Sequence, residues 1–154
     1  MSEDSHVSLY NRITIMAQTL VPVVRVLRKE IGQERADEII SEALKEVGRG
    51  WGEAISSLEG SGLAERMTQG LAGFREDNAL DFSILRQEDD AYDFDVTRCR
   101  YAQFMEDIGA KDLGPLLICD LDNAMADVLD LTLERKETIM TDKPRCSFRF
   151  RSKA

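Results

Sequence analysis

The stretch LDFSILRQEDDAYDFDV, residues 80–96, holds two runs in which apolar and polar residues alternate. Leu80, Phe82 and Ile84 mark the first run; Tyr92, Phe94 and Val96 mark the second. A period of two puts every apolar side chain of a run on the same face of a strand. The acidic EDD of residues 88–90 separates the runs, so the pair reads as an antiparallel hairpin with one face buried.

Before this hairpin the period is helical. Ile13, Met16, Leu20, Val24, Leu27 and Ile31 recur on one face between Leu9 and Ile31, and Ile15, Val21, Val23 and Val26 widen the stripe. A helix so broadly apolar sits in the core or against another subunit, which makes it the expected homo-oligomer surface. Pro22 is expected to kink it and Gly32 to end it. A second helix is expected from about Gln33 to Leu58. Gly48, Gly50 and Gly52 surround Trp51 in it, and a bend or a tight helix contact accounts for them better than a phosphate loop, which would need a lysine and a preceding strand. EGSG at residues 59–62 is a turn, and a shorter helix follows to about Phe74.

After the hairpin, RCRYAQFMEDIG reads as a helix with Tyr101, Phe104, Met105 and Ile108 inward, and a second short helix covers roughly Leu113 to Val128. LTLERKETIM and RCSFRFR close the chain as a hairpin around TDKP, with Cys146, Phe148 and Phe150 on one face. The fold class is α+β: about three N-terminal helices packed with a four-stranded antiparallel sheet in ββααββ order. A flexible tail is expected over residues 1–8 and a single domain over 9–154, with a helical part at 9–76 and the ββααββ part at 79–152.

Composition bounds the function. The formal charge of −9 argues against nucleic acid or an anionic membrane as partner. After Asp142, Lys143, Arg145, Arg149, Arg151 and Lys153 would form a small basic face, better suited to a small anion than to a polyanion. MSEDSHVSLY is acidic and polar, so no signal peptide is expected, and Arg25 interrupts the best membrane-span candidate. Three cysteines without close pairing fit a reducing compartment, so a cytoplasmic location is the expectation.

The only histidine is His6, in the polar tail, so neither histidine-based nucleophilic machinery nor a multi-histidine metal site is expected. Cys99 lies between Arg98 and Arg100 at a strand-to-helix junction, where positive charge and a helix N-terminus favour thiolate. Cys119 and Asp122 are three apart and Cys119 and Asn123 four apart, spacings that share a helical face. A carboxylate inside an apolar helix is costly unless paired. Free cysteine also packs as a small hydrophobe, so burial alone is the plainer account of each thiol. Tetrahedral zinc on three cysteines and an aspartate is conceivable, but no CxxC pair exists, and neither metal nor cofactor is expected.

The segment DVTRCRYAQFMEDIGAKDLGPLLICDLDNAM, with LERKETIM and RCSFRFR after it, resembles the family named for L-2-amino-thiazoline-4-carboxylic acid hydrolase. The resemblance rests on Val96 to Ala102, Leu113 with Gly114, Cys119 with Asp122, Thr138 to Met140, and Cys146 with Phe148 and Arg149. It implies a small α+β enzyme that opens a thiazoline ring to give S-carbamoyl-cysteine, a step of bacterial cysteine salvage. Two positions depart from the family pattern. Thr141 to Pro144 replace a Glu-Gly turn, and Ser147 stands where the family carries Asp.

The function expected on these grounds is hydrolysis of a small cyclic amidine or amide carrying a carboxylate. Asp122 would be the acid/base and Cys99 the nucleophile or thiol contact. Arg98 or Arg100 would hold the carboxylate, and Cys119, Asn123 and Cys146 would line the pocket. Attack by water and a thioimidate intermediate both stand open. The alternative is a non-catalytic ligand-binding or regulatory module using the same pocket. A thiol-dependent redox or metal-handling protein comes third.

Overall fold

The computed structural model describes residues 6–153. Helix α1 (Leu9–Ile31) runs on through Pro22 and stops at Gly32, whose φ of 86° lies where side chains are strained. Ser8 caps its start, accepting the Asn11 N–H at 3.2 Å. The tail expected over 1–8 lies partly outside the described residues. Its Ser8 also donates to Asp77, and His6 pairs with Glu76 at 2.6 Å. Ile15, Val23 and Val26 of α1 are exposed.

Helix α2 (Gln33–Ser56) packs against α5 (Leu121–Val128), and its glycines explain how closely. A Cβ at Gly48 would collide with the Leu121 carbonyl, and one at Gly52 would sit 2.7 Å from that of Met125. The tight helix contact expected around Trp51 is thus present, and it is carried by Gly48 and Gly52. Nothing lies within 4 Å of a Cβ built at Gly50. Helix α3 (Leu63–Ala72) continues into a 3₁₀ segment, Gly73–Asn78, where a helix ending near Phe74 was expected.

Strands β1 (Leu80–Gln87) and β2 (Ala91–Cys99) form the expected hairpin. β4 (Cys146–Ser152) pairs antiparallel with β2, and β3 (Leu131–Glu134) with β4, giving the sheet order β1-β2-β4-β3. Phe94 lies opposite Phe148 and Tyr92 opposite Phe150; the Phe94 and Phe148 rings stack at 4.5 Å. Among the described residues five α-helices are present, against the about three expected for the N-terminal part; the others are α4 (Arg100–Asp107) and α5, between the hairpins.

Two expectations need correction. The helix expected over Leu113 to Val128 is broken: a π-helical turn, Pro115–Cys119, precedes α5 and is closed by the Asp120 N–H donating to the Pro115 carbonyl at 2.9 Å. The last hairpin has no tight turn at TDKP either. β3 ends at Glu134, and an irregular segment with a 3₁₀ turn at Ile139–Thr141 leads into β4.

The basic face expected after Asp142 is largely neutralised. On the outer face of the sheet Arg149 pairs with Asp95 at 2.8 Å, Arg151 with Asp93, and Arg145 with Asp95 and Glu137 at 3.2 and 2.7 Å. Lys153 reaches Asp127 at 2.9 Å. Strand register makes this arrangement, because the outward positions of β2 are acidic where those of β4 are basic.

Inside, two apolar clusters meet. One joins α1, α2, α4 and the π turn; the other joins α3, α5 and the inner face of the sheet. Trp51, Phe74, Leu80 and Cys99 touch both, and a cavity opens along this seam.

Candidate functional site

The cavity has a volume of about 80 Å³, room for several waters or one small ring. Its walls are mainly aromatic and aliphatic, from Trp51, Phe74, Phe94 and Phe148 among others. Into this apolar space the fold brings Cys99, Cys119, Cys146 and Asp122, four residues singled out in the sequence, and adds Tyr101, Arg135 and Thr138.

Each polar group has a local reason for its place. Cys99 ends β2 and caps α4, its Sγ accepting the Ala102 N–H at 3.4 Å. Cys146 opens β4 on the inward face; its Sγ accepts the Ile139 N–H at 3.3 Å and its thiol points to the Thr138 hydroxyl at 3.6 Å. Cys119 ends the π turn, and Asp122 follows in the first turn of α5. Arg135 lies just past β3. It donates to the Asp122 carboxylate at 2.7 Å and to the Cys119 carbonyl at 3.0 Å, with its guanidinium carbon 5.0 Å from the centre of the Phe148 ring. The side chains of Arg135 and Asp122 are only 11% and 19% exposed, so this is a buried ion pair.

Burial sets the electrostatics. It lifts the Cys99 thiol to about 11, against the pull of the Ala102 N–H, and the Cys119 thiol to about 12, against the pull of Arg135. The same desolvation raises Asp122 above the ordinary carboxylate value, while Arg135 opposes the rise and Asp120 adds to it. The thiolate expected at Cys99 is therefore corrected: the helix N-terminus and the flanking arginines do not offset the loss of water. Near neutral pH these thiols are neutral. A thiol at about 11 has roughly 300-fold less thiolate than a free cysteine, and its higher intrinsic nucleophilicity returns about tenfold. Cys99 is expected to react with a small thiosulfonate at least about 30-fold more slowly than free cysteine. Mass spectrometry of partly labelled protein checks this, and labelling at the free rate would mean an activated thiol.

Three expected residues lie elsewhere. Arg98 grips Asp81 through two hydrogen bonds, at 2.7 and 3.0 Å, and donates to the Asn78 carbonyl at 3.0 Å. Arg100 donates to the Asp77 carbonyl and stacks 4.3 Å over the Tyr10 ring. Both tie down the segment before β1 instead of facing the cavity. Asn123 is exposed and lines a separate surface groove with Ser41 and Arg49. The break at the π turn is the reason: Cys119 and Asn123 do not share one regular helix, so a spacing of four loses its meaning. Ser147 also faces away from the cavity, exchanging hydrogen bonds with the backbone of Glu137. Among the described residues no three His, Cys, Asp or Glu side chains are grouped closely enough to hold a metal ion.

Arg135 was missed in the sequence, although a signal existed. A buried Asp122 requires a cationic partner, and Arg135 is the first residue of the stretch that leads to Thr138 and Cys146.

An antiparallel sheet with helices on its inner face, built around a closed polar cluster, defines a small α+β domain with an internal pocket. The chain belongs to the L-2-amino-thiazoline-4-carboxylic acid hydrolase family, whose model matches residues 12–150. No curated protein matches it. Among solved structures it is similar to the phenol-responsive sensory domain of the transcription activator PoxR, crystallised with phenol. The TM-score is 0.59 at 11% identity, over 87% of this chain and 73% of that one, a likeness of fold. Among the described residues no helix is long and apolar enough to cross a membrane.

Proposed function

We propose that the cavity binds a small cyclic amidine or amide bearing a carboxylate and hydrolyses its C–N bond by direct attack of water. The observation that carries this reading is the buried Asp122–Arg135 pair opening into an apolar, cysteine-lined space. Asp122 takes a proton from water as the oxygen bonds to the amidine carbon. It gives that proton to the ring nitrogen; the ring C–N bond then breaks as the added hydroxyl becomes the carbonyl and its proton passes, again through Asp122, to the departing nitrogen. Arg135 has five N–H donors, enough to keep Asp122 and also hold the substrate carboxylate or the developing oxyanion. It takes the role first assigned to Arg98 or Arg100. Cys99 and Cys119 act as neutral walls, and Cys146 lines the cavity beside them. Family membership supports the substrate class, and the test is ring opening of L-2-amino-thiazoline-4-carboxylate by purified protein, followed by mass spectrometry. S-carbamoyl-cysteine as product is the expected result; no product on prolonged incubation overturns it.

The second reading is a pocket that binds without turnover. The specific observation in its favour is the mainly apolar lining of the cavity, in which burial leaves neither Cys99 nor Cys119 activated for attack. The similar sensory domain, crystallised with phenol, belongs to a transcription activator. Saturable binding of the same compound without product separates the two readings.

A further inference from the structure

Tyr101 is the one buried tyrosine of the cavity wall whose hydroxyl is left over. The residue is 3% exposed, its ring lies edge-on to Phe74 at 6.4 Å and tilted against Tyr10 at 5.3 Å, and its hydroxyl has no hydrogen-bond partner among the described residues. Tyr92 makes the contrast. It is equally buried, and its hydroxyl meets that of Thr68 at 2.7 Å. Buried hydroxyls find partners, and leaving one unmatched costs about 1–3 kcal/mol. The hydroxyl is shut off from solvent, and aromatic neighbours hold the ring on two sides. What remains open to it is the cavity that it lines together with Cys99 and Asp122.

We propose that the Tyr101 hydroxyl is the ligand-anchoring donor of this cavity, giving a hydrogen bond to an sp² nitrogen or oxygen of a small planar ring compound. The proposal deepens the reading above by naming what the ligand must carry: a flat ring for the aromatic walls and a neutral acceptor for Tyr101, besides any group held by Arg135. Burial raises the phenol well above its ordinary value, so it keeps its proton and donates throughout the working range of pH. Tyr101 then sorts ligands by their acceptor. A ring with an acceptor completes the cavity, whereas the same ring without one leaves the hydroxyl unmatched.

The test uses two rings of nearly equal shape, pyridine and benzene, at mildly alkaline pH where pyridine is uncharged. Trp51, the sole tryptophan, lines the cavity and reports binding by its fluorescence. Tyr101→Phe is expected to weaken pyridine about 3- to 10-fold and to leave benzene unchanged or tighter. The melting temperature without ligand is expected to stay level or rise, since the variant removes an unmatched hydroxyl. In the unaltered protein, labelled with ¹³C at the tyrosine Cζ, pyridine is expected to move the Tyr101 resonance. Equal weakening of both probes, unchanged pyridine affinity, a stationary Tyr101 resonance, or failure of the unaltered protein to bind pyridine would each overturn the proposal. Its fate is separable from that of the hydrolase reading. Differential binding without ring opening keeps the Tyr101 role and removes the activity; ring opening without differential binding does the reverse.

Discussion

Arg135→Ala is expected to destabilise the fold by about 3–5 kcal/mol, the usual cost of stripping one partner from a buried ion pair. The variant leaves the Asp122 carboxylate in an apolar wall with its 2.7 Å partner gone, and it also frees the Cys119 carbonyl at the end of the π turn. Urea denaturation at constant m-value gives the number. Its pH dependence identifies the cause. Without Arg135 the carboxyl is raised further by burial, and a group raised in the folded state gives stability that is present at low pH and lost as pH rises through the folded value. The variant should therefore be more stable at mildly acidic pH than at neutral pH. Replacing both partners with apolar residues, Arg135→Met with Asp122→Leu, is expected to restore most of the loss, because no charge then needs a partner. A cost below about 1 kcal/mol for Arg135→Ala would show that the pair is not ionised in the protein.

The sheet was legible because its signal is local and simple. Phe94 and Phe148 face each other at 4.5 Å because alternation placed both inward on neighbouring strands. The three cysteines and Asp122 were legible as a set, each on an element that had to face the core. Their chemistry was not. The pull of flanking charges on Cys99 can be read from RCR, but the opposing loss of water depends on Phe74, Leu80 and Trp51, which come from distant segments. Arg98 and Arg100 were misplaced for a related reason. Asp81 and the carbonyls of Asn78 and Asp77 compete for them, and only the hairpin register brings those groups within reach. Arg149 and Arg151 read as free cations in a basic tail until β2 supplied Asp93 and Asp95 beside them. The π turn left no mark in the apolar spacing, so Asn123 went to the wrong side. Arg135 was hidden by its setting in LERKET, where charged neighbours suggest a solvated loop.

Asp122→Asn and Cys99→Ser are expected to separate the two mechanisms that the sequence left open. If water attacks directly, the chemistry rests on Asp122. Asparagine keeps an acceptor for Arg135 but takes no proton, and the loss of ring opening should be about 100-fold or more in kcat. Cys99 acts as a wall in that mechanism, and its change to serine should alter kcat by less than about tenfold. A covalent route predicts the opposite weight, with Cys99→Ser abolishing turnover. The thiol value of about 11 argues against that route, since roughly one molecule in ten thousand carries the thiolate near neutral pH and no histidine other than His6 is present to take the proton. The pH profile adds an independent check. Asp122 works as a base only when ionised, and burial raises it above the ordinary 3.8. The rate should therefore fall on its acid side at a pH above that value, and the limb should vanish with Asp122→Asn. Together, a retained acid limb in Asp122→Asn and a dead Cys99→Ser would move the nucleophile from water to the thiol and leave the buried ion pair with a structural role alone.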